Sequence, residues 1–255
     1  MKYILGFVGI LATLGQSLGQ SPQSKPVVIE LFTSEGCSSC PPADRLLSTL
    51  DREQPIPGAQ LIVLSEHVDY WNTLGWMDPY SSHEFSERQT HYGEALHIQD
   101  VYTPQAVIDG RLEVVGNSAP KLEAAIQQAM LQTKVPLQLR ATRSDKGIHV
   151  EVNGQQGVPR GAEVFFAVAE DEVQSKVSAG ENSGHMLTHT AVVRSLTKGG
   201  KLAAAGEAGI AMDLKANAHW GKHLRVVALL AEHDGGKILG AALCELSEPA
   251  SAKSE

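Results

Sequence analysis

The stretch Val27-Val28-Ile29-Glu30-Leu31-Phe32-Thr33-Ser34-Glu35-Gly36-Cys37-Ser38-Ser39-Cys40-Pro41-Pro42-Ala43-Asp44-Arg45-Leu46-Leu47-Ser48-Thr49-Leu50 carries a strand, a turn, a cysteine pair and a helix in immediate succession. Val27 to Phe32 is an apolar run broken only by Glu30, which suits a buried strand. Thr33 to Gly36 reads as a turn. From Pro41 onward the pattern is helical, with Leu46, Leu47 and Leu50 sharing one face. Proline is tolerated in a first helical turn because those N–H groups have no intrahelical partner. The pair Cys37/Cys40 therefore sits at a helix N-terminus.

Downstream, a Pro/Gly-rich connection (Pro55 to Gly58) leads to a second strand, Gln60 to Glu66. An aromatic loop runs from His67 through Trp71 and Trp76 to Pro79, and Ser81 or Ser82 caps a helix reaching about His97. Val101-Tyr102-Thr103-Pro104 opens a strand over Gln105 to Ile108. Asp109-Gly110 is a two-residue hairpin signal, Leu112 to Val115 is its partner strand, and Ser118 to Thr133 is an amphipathic helix. The order β-α-β-α-β-β-α is the thioredoxin topology, expected as an α/β domain over residues 26–133. It brings three segments to one sheet edge: the cysteines, the loop from His67 to Trp76, and Thr103-Pro104.

After Thr133 the pattern changes. Val135 to Arg140, Ile148 to Val152, Val164 to Glu170, Leu187 to Arg194, Leu224 to Ala231 and Ile238 to Leu246 are strand-like, separated by turn-rich stretches that include Ser195 to Gly206. Residues 134–247 are expected as an all-β, sandwich-like domain, and residues 248–255 as a flexible tail. At the other end, Lys2 precedes an apolar run from Ile4 to Leu14 and small residues around Ser17 and Gly19. Residues 1–19 have the layout of a signal peptide, and the run is shorter than the about 20 apolar residues a membrane span needs. The expected mature protein is exported, periplasmic or secreted, with no membrane span once the signal is removed.

Composition is that of a globular chain of 255 residues, 42% hydrophobic and 20% charged. A net charge of −8 without a basic cluster argues against nucleic-acid binding. Export changes how the cysteines are read. A disulfide-stabilised secreted protein carries a larger, even set, whereas Cys37, Cys40 and Cys244 look like a redox pair plus a remote thiol.

Thiol–disulfide exchange needs an accessible thiolate and a second thiol to resolve the mixed disulfide. The helix N-terminus favours a thiolate at Cys37, and Cys40, a turn deeper, resolves. Two other readings stand beside this: an inert bridge, or half of a zinc site, although zinc normally takes four ligands. Thr103-Pro104 is expected as a cis bond facing the cysteines and pairing with substrate backbone, against an ordinary trans proline at a strand start. Glu30 is either a buried base for Cys40 or a solvent-facing residue. His67, Asp69, Trp71 and Trp76 either tune the thiol and shape a groove or pack the core edge. His185/His189 and His219/His223, both spaced i,i+4, raise copper binding together with Met186, the alternative being polar surface. Cys244 is expected to be buried in a strand. The leading reading is thus a thiol–disulfide oxidoreductase without metal or other cofactor, its partners a protein or small thiol client and a redox partner. The alternative is a non-catalytic partner- or copper-binding module with a structural Cys37–Cys40 disulfide.

Glu30 to Asp44, His67-Val68-Asp69-Tyr70-Trp71, Leu74-Gly75-Trp76, Arg88-Gln89 and Tyr102-Thr103-Pro104-Gln105 resemble the signature of the secreted domain-of-unknown-function family 1223. Gly180-Glu181-Asn182, His189 and Val192-Val193-Arg194 match it as well. The resemblance implies an exported, thioredoxin-like protein with a β-rich C-terminal portion. It implies no substrate.

Overall fold

Strand β1 (Lys25–Thr33) is buried over its last seven residues because helices cover both faces of the sheet around it. The structure, a computed structural model, describes residues 24–203, 209–217 and 219–246. The expected signal peptide (1–19) and tail (248–255) lie outside the described residues.

Two strands flank β1. Strand β2 (Ala59–His67) runs parallel to it from Lys25↔Ala59 to Thr33↔His67, and β3 (Gln105–Ile108) runs antiparallel, pairing Phe32 with Gln105. Strand β4 (Leu112–Val115) returns alongside β3. The turn between them has positive φ at Asp109 and Gly110, as the hairpin signal requires. Helix α1 (Pro41–Glu53) follows the cysteines with proline in its first turn. Helix α2 (His83–Ala95) is capped by Ser82, whose hydroxyl accepts from the Glu84 N–H. Helix α3 (Ala119–Ala129) packs on β3 and β4.

The C-terminal half supplies β5 (Leu137–Ser144), β6 (Gly147–Gly154), β7 (Glu163–Glu170), β8 (Val173–Lys176), β9 (Met186–His189), β10 (Val192–Lys201), β11 (Ile210–Leu214), β12 (Leu224–Ala231) and β13 (Ile238–Glu245). Four of these join the N-terminal strands in one eight-stranded mixed sheet, ordered β13-β12-β7-β10-β2-β1-β3-β4. The fold is mixed α/β, a large sheet with few helices. Its seam is narrow: Val192 pairs with Ser65, and the Ser65 N–H donates to the Ala191 carbonyl at 2.8 Å. Strands β11-β6-β5 form a second sheet. Its Ile148, Val150 and Val152 pack with Val164, Phe166 and Val168 of β7 and Val226, Ala228 and Leu230 of β12. The alternate residues of β7 and β12, such as Ala167, Ala169, Val227 and Leu229, belong to the main core with β1, β2 and α1. All of β12 is buried because both its faces are covered, which explains a continuous apolar run in place of alternation.

Three local expectations change. Leu187 to Arg194 is two strands, broken where Ala191 takes a positive φ and the chain passes from the β8-β9 ribbon into the main sheet. Ser195 to Lys201, expected as turn, continues β10 through register shifts at Val193/Ser195 and Lys198/Gly200. The second of these bulges accommodates Gly199 and Gly200, which gave the turn signal. Cys244 is only partly buried, because β13 is the edge strand of its sheet. No helix among the described residues is long and apolar enough to cross a membrane.

Alternation along β1 sends Thr33 toward α1 and Glu30 toward α2. Glu30 lies in a buried network: Arg88 Nε donates to its Oε1 at 2.7 Å, and the Tyr92 hydroxyl donates to its Oε2 at 2.7 Å. Burial, and then the adjacent Glu30 carboxylate, pushes the Glu66 carboxyl well up. Removing the cation strands the Glu30 carboxylate. Arg88→Met is expected to lower the unfolding free energy by about 3–5 kcal/mol, as for other broken buried pairs. Urea denaturation measures it, and a loss below about 1 kcal/mol would place this pair with exposed ones.

Candidate functional site

The cysteine turn is set by β1 ending at Thr33 and α1 beginning at Pro41. Cys40 stands at the N-cap position of α1, and its N–H donates to the Cys37 carbonyl at 3.2 Å. Cys37 and Cys40 form a disulfide, with Cα atoms 5.4 Å apart. Neither cysteine has any solvent exposure (0% each), while Ser38 and Ser39 between them are exposed. The Cys37 sulfur lies 3.3 Å from Ser39 Oγ.

The backbone of the cysteine turn is held from the other half of the chain. In the loop between β8 and β9, Asn182 Nδ2 donates to the carbonyls of Glu35 (2.8 Å) and Cys37 (3.0 Å). The Ser38 N–H donates to Glu181 Oε2 at 2.9 Å, and Ser38, through its hydroxyl first and this N–H second, holds the Glu181 carboxyl below its usual range. A Cβ placed on Gly180 would lie 3.1 Å from Trp76 Cβ, so the loop also rests on the aromatic loop after β2.

Beside this turn is a buried group of acids and imidazoles. Glu35 accepts from Trp76 Nε1 (2.8 Å), from His189 Nε2 (3.1 Å) and from the Ser175 hydroxyl. Its own N–H donates to Asp78 Oδ2 at 2.8 Å, the atom that also accepts from His67 Nδ1 at 2.7 Å. The His67 and His189 rings meet edge to face, centroids 4.8 Å apart. Asp44, one turn into α1, accepts from Thr33 Oγ1 at 2.8 Å and lies 3.7 Å from His189 Nδ1, too far for a hydrogen bond. Burial pushes the Asp44 carboxyl up, against the pull of His189 and His67. For Asp78 burial acts upward too, but His67 and the donated hydrogen bonds win and hold it down. Burial alone would lower His67, and the Asp78 carboxylate, followed by Asp44 and Glu35, raises it instead.

The residues singled out from sequence divide as follows. Thr103–Pro104 is a cis bond, one residue before the Phe32–Gln105 pair at the β1 end that leads to the cysteines. Trp71 joins the two: its Nε1–H donates to Thr103 Oγ1 at 2.8 Å, and a Cβ on Gly36 would lie 3.2 Å from Trp71 Cβ. Trp76 and His67 belong to the buried group. Asp69 turns instead to α2, where the Ser86 hydroxyl and His83 hold its carboxyl below its usual range. Glu30 is buried, but its carboxylate lies on the α2 side, held by Arg88 and Tyr92. The buried carboxylate in the α1 turn after Cys40 is Asp44, for which the i,i+4 spacing to Cys40 was a legible signal. Asp78 and Ser175 gave none.

Among the described residues no group of three or more His, Cys, Asp or Glu side chains is arranged to hold a metal ion. His189 is committed to Glu35 within the core, His223 pairs loosely with Glu172 at 3.7 Å, and Met186 is exposed. The sulfurs thus have a disulfide, a helix start and nearby proton-holding groups. Those are the ingredients of electron-pair and proton exchange at sulfur.

The profile of a family described as "Protein of unknown function (DUF1223)" matches residues 28–231. The chain is also similar to the crystal structure of protein AGR_C_4864 from Agrobacterium tumefaciens, at 27% identity and a TM-score of 0.69, over 92% of this chain and 100% of that one. No curated protein matches it.

A raised imidazole adds a stability contribution that is fully present below its unfolded pKa, about 6.5, and is lost as pH rises through the higher folded value. The stability margin of the native protein over His67→Gln is therefore expected to be largest at pH 6 and to shrink toward pH 9. Urea unfolding of both proteins across that range measures it, and a margin that grows with pH would show His67 to be neutral in the fold.

Proposed function

Because the chain belongs to the DUF1223 family, whose description names no reaction, we propose from its site that it is an exported, thioredoxin-like thiol–disulfide oxidoreductase. The observation that carries this is the Cys37–Cys40 disulfide closed at the start of α1, beside buried groups able to hold a proton. The N-terminal strands, ordered β2-β1-β3-β4 with α1, α2 and α3, support the thioredoxin-like reading of residues 26–133. The apolar run after Lys2 supports export.

In the oxidising direction, a client thiolate attacks the Cys37 sulfur and the Cys37–Cys40 bond breaks with its electron pair passing to Cys40, which takes up a proton. A second client thiolate then attacks the client sulfur of the mixed disulfide and releases Cys37. The client dithiol loses two electrons and two protons, and the cysteine pair gains them. In the reducing direction Cys37 attacks and Cys40 resolves. Thr103 and Pro104 flank the approach to Cys37, with Trp71 fixing the Thr103 hydroxyl. His67, Trp76 and Asp44 set the polarity around the sulfurs. The client is a protein or small thiol.

Complete burial of both sulfurs favours a second reading, a static bridge in a binding module. Equilibration of the mature protein in graded glutathione or dithiothreitol buffers separates the two. Exchange chemistry is expected to give a reversible couple above about −250 mV, whereas a pair still oxidised below about −300 mV is a structural bridge. Cys37→Ser is expected to abolish exchange with the fold retained.

A further inference from the structure

Residues 180–186 are exposed with one exception, Asn182, which is 7% exposed and points inward. The loop is closed at its base by hydrogen bonds from the Val177 N–H to His185 (3.0 Å) and from the Gly184 N–H to Val177 (2.9 Å). Gly180 and Gly184 both have positive φ. This tip buries almost no apolar surface. It is attached to the cysteine turn by the three hydrogen bonds of Glu181 and Asn182, and segments held this way belong to the low-stability end of a fold.

The groups those two side chains engage are all main-chain: the carbonyl of Glu35, the carbonyl of Cys37 and the N–H of Ser38. A carboxylate oxygen takes the place of a peptide carbonyl, and a side-chain amide N–H the place of a peptide N–H. Most of the large apolar side chains exposed among the described residues stand on the loop after β2 (Tyr70, Leu74 and Met77) and at the start of β9 (Met186). The two segments touch where a Cβ on Gly75 would lie 3.8 Å from Gly180.

We infer that the 177–185 loop holds the place of the client, and that the client is a polypeptide whose extended backbone takes over the Cys37 and Ser38 peptide groups while apolar side chains flanking its cysteine rest on Leu74, Met77 and Met186. This rests on the exchange reading above and adds the class of client and the gate it passes. With the loop seated both cysteines are fully buried, and its withdrawal opens Cys37 to a client sulfur. Once it withdraws, two carbonyls and one N–H stand unpaired and favour a partner that restores both kinds of bond.

Three measurements on the full mature chain test this. Asn182→Ala and Glu181→Ala are each expected to speed reduction of Cys37–Cys40 by dithiothreitol about tenfold, the equivalent of about 1.4 kcal/mol. Rates equal to wild type would overturn the gate. In the oxidised wild type the Ser38 amide is expected to exchange hydrogen slowly, and exchange at the unprotected rate would overturn the gate whether or not the variants fold. For the client, a reduced cysteinyl peptide with leucine flanks is compared with one bearing serine flanks. Leu74→Ser/Met77→Ser is expected to slow the leucine peptide about fivefold, a loss of about 1 kcal/mol, and to leave the serine peptide unchanged. An equal effect on both peptides, or none, overturns the polypeptide assignment. A pair that cannot be reduced at any accessible potential removes the exchange reading itself, whereas a reversible couple with unaltered variant rates removes only the gate.

Discussion

The carboxylate of Glu35 is out of contact with water, and a buried charge has to be met by donors from the protein. Its donors come from distant parts of the chain: Trp76 from the loop after β2, Ser175 from β8 and His189 from β9. The peptide group of the same residue is engaged as well, its N–H by Asp78 and its carbonyl by Asn182. One residue, two positions before Cys37, therefore pins the aromatic loop and the β8-β9 ribbon to the cysteine turn. Moving the aromatic loop or the strands of the ribbon would leave a polar group unpaired in the core, which is why the surroundings of the disulfide are defined by the whole fold rather than by the four-residue motif.

The sheet explains how residues so far apart in sequence come to share a site. Strand β10 is joined to β2 by a short stretch of pairing at Ser65 and Val192, and the positive φ of Ala191 turns the chain from the ribbon into this seam. The same turn leaves His189, two residues earlier, facing Glu35. Farther along, Arg225 of β12 donates to both Asp51 at the end of α1 and Asp171 after β7, a second tie between the halves. The C-terminal strands thus act on the cysteine turn both through continuous backbone pairing and through buried ions.

Polar groups are divided between the two faces of β1 by strand alternation. Glu30, with Arg88 and Tyr92, forms a hydrogen-bonded network under α2, and Glu66 lies beside it, 3.6 Å from Arg88. Thr33, with Asp44, His189 and Glu35, forms another on the side of the cysteines. Glu30, the only polar interruption in the apolar run from Val27 to Phe32, falls on the first face. The period of two along a strand and the period of 3.6 along a helix place Asp44, rather than Glu30, in the helical turn after Cys40.

Much was legible from residue order alone, because local rules govern it. The strand–turn–cysteine–helix unit, the Ser82 cap, the Asp109-Gly110 hairpin, the parallel β1–β2 pair and most C-terminal strands follow from side-chain period, capping and turn chemistry, each acting over a few residues. The second part of β10 was not legible, because its glycines read as turn and only a bulge in the sheet accommodates them. The sheet order, the seam at Ser65, the burial of both sulfurs and the seating of Asn182 on the Cys37 carbonyl lay beyond such rules. These join residues separated by more than a hundred positions, as in the Asn182–Cys37 hydrogen bond. Such contacts arise when buried polar groups find partners as whole layers pack together, and no pattern within a short window records which partner that will be.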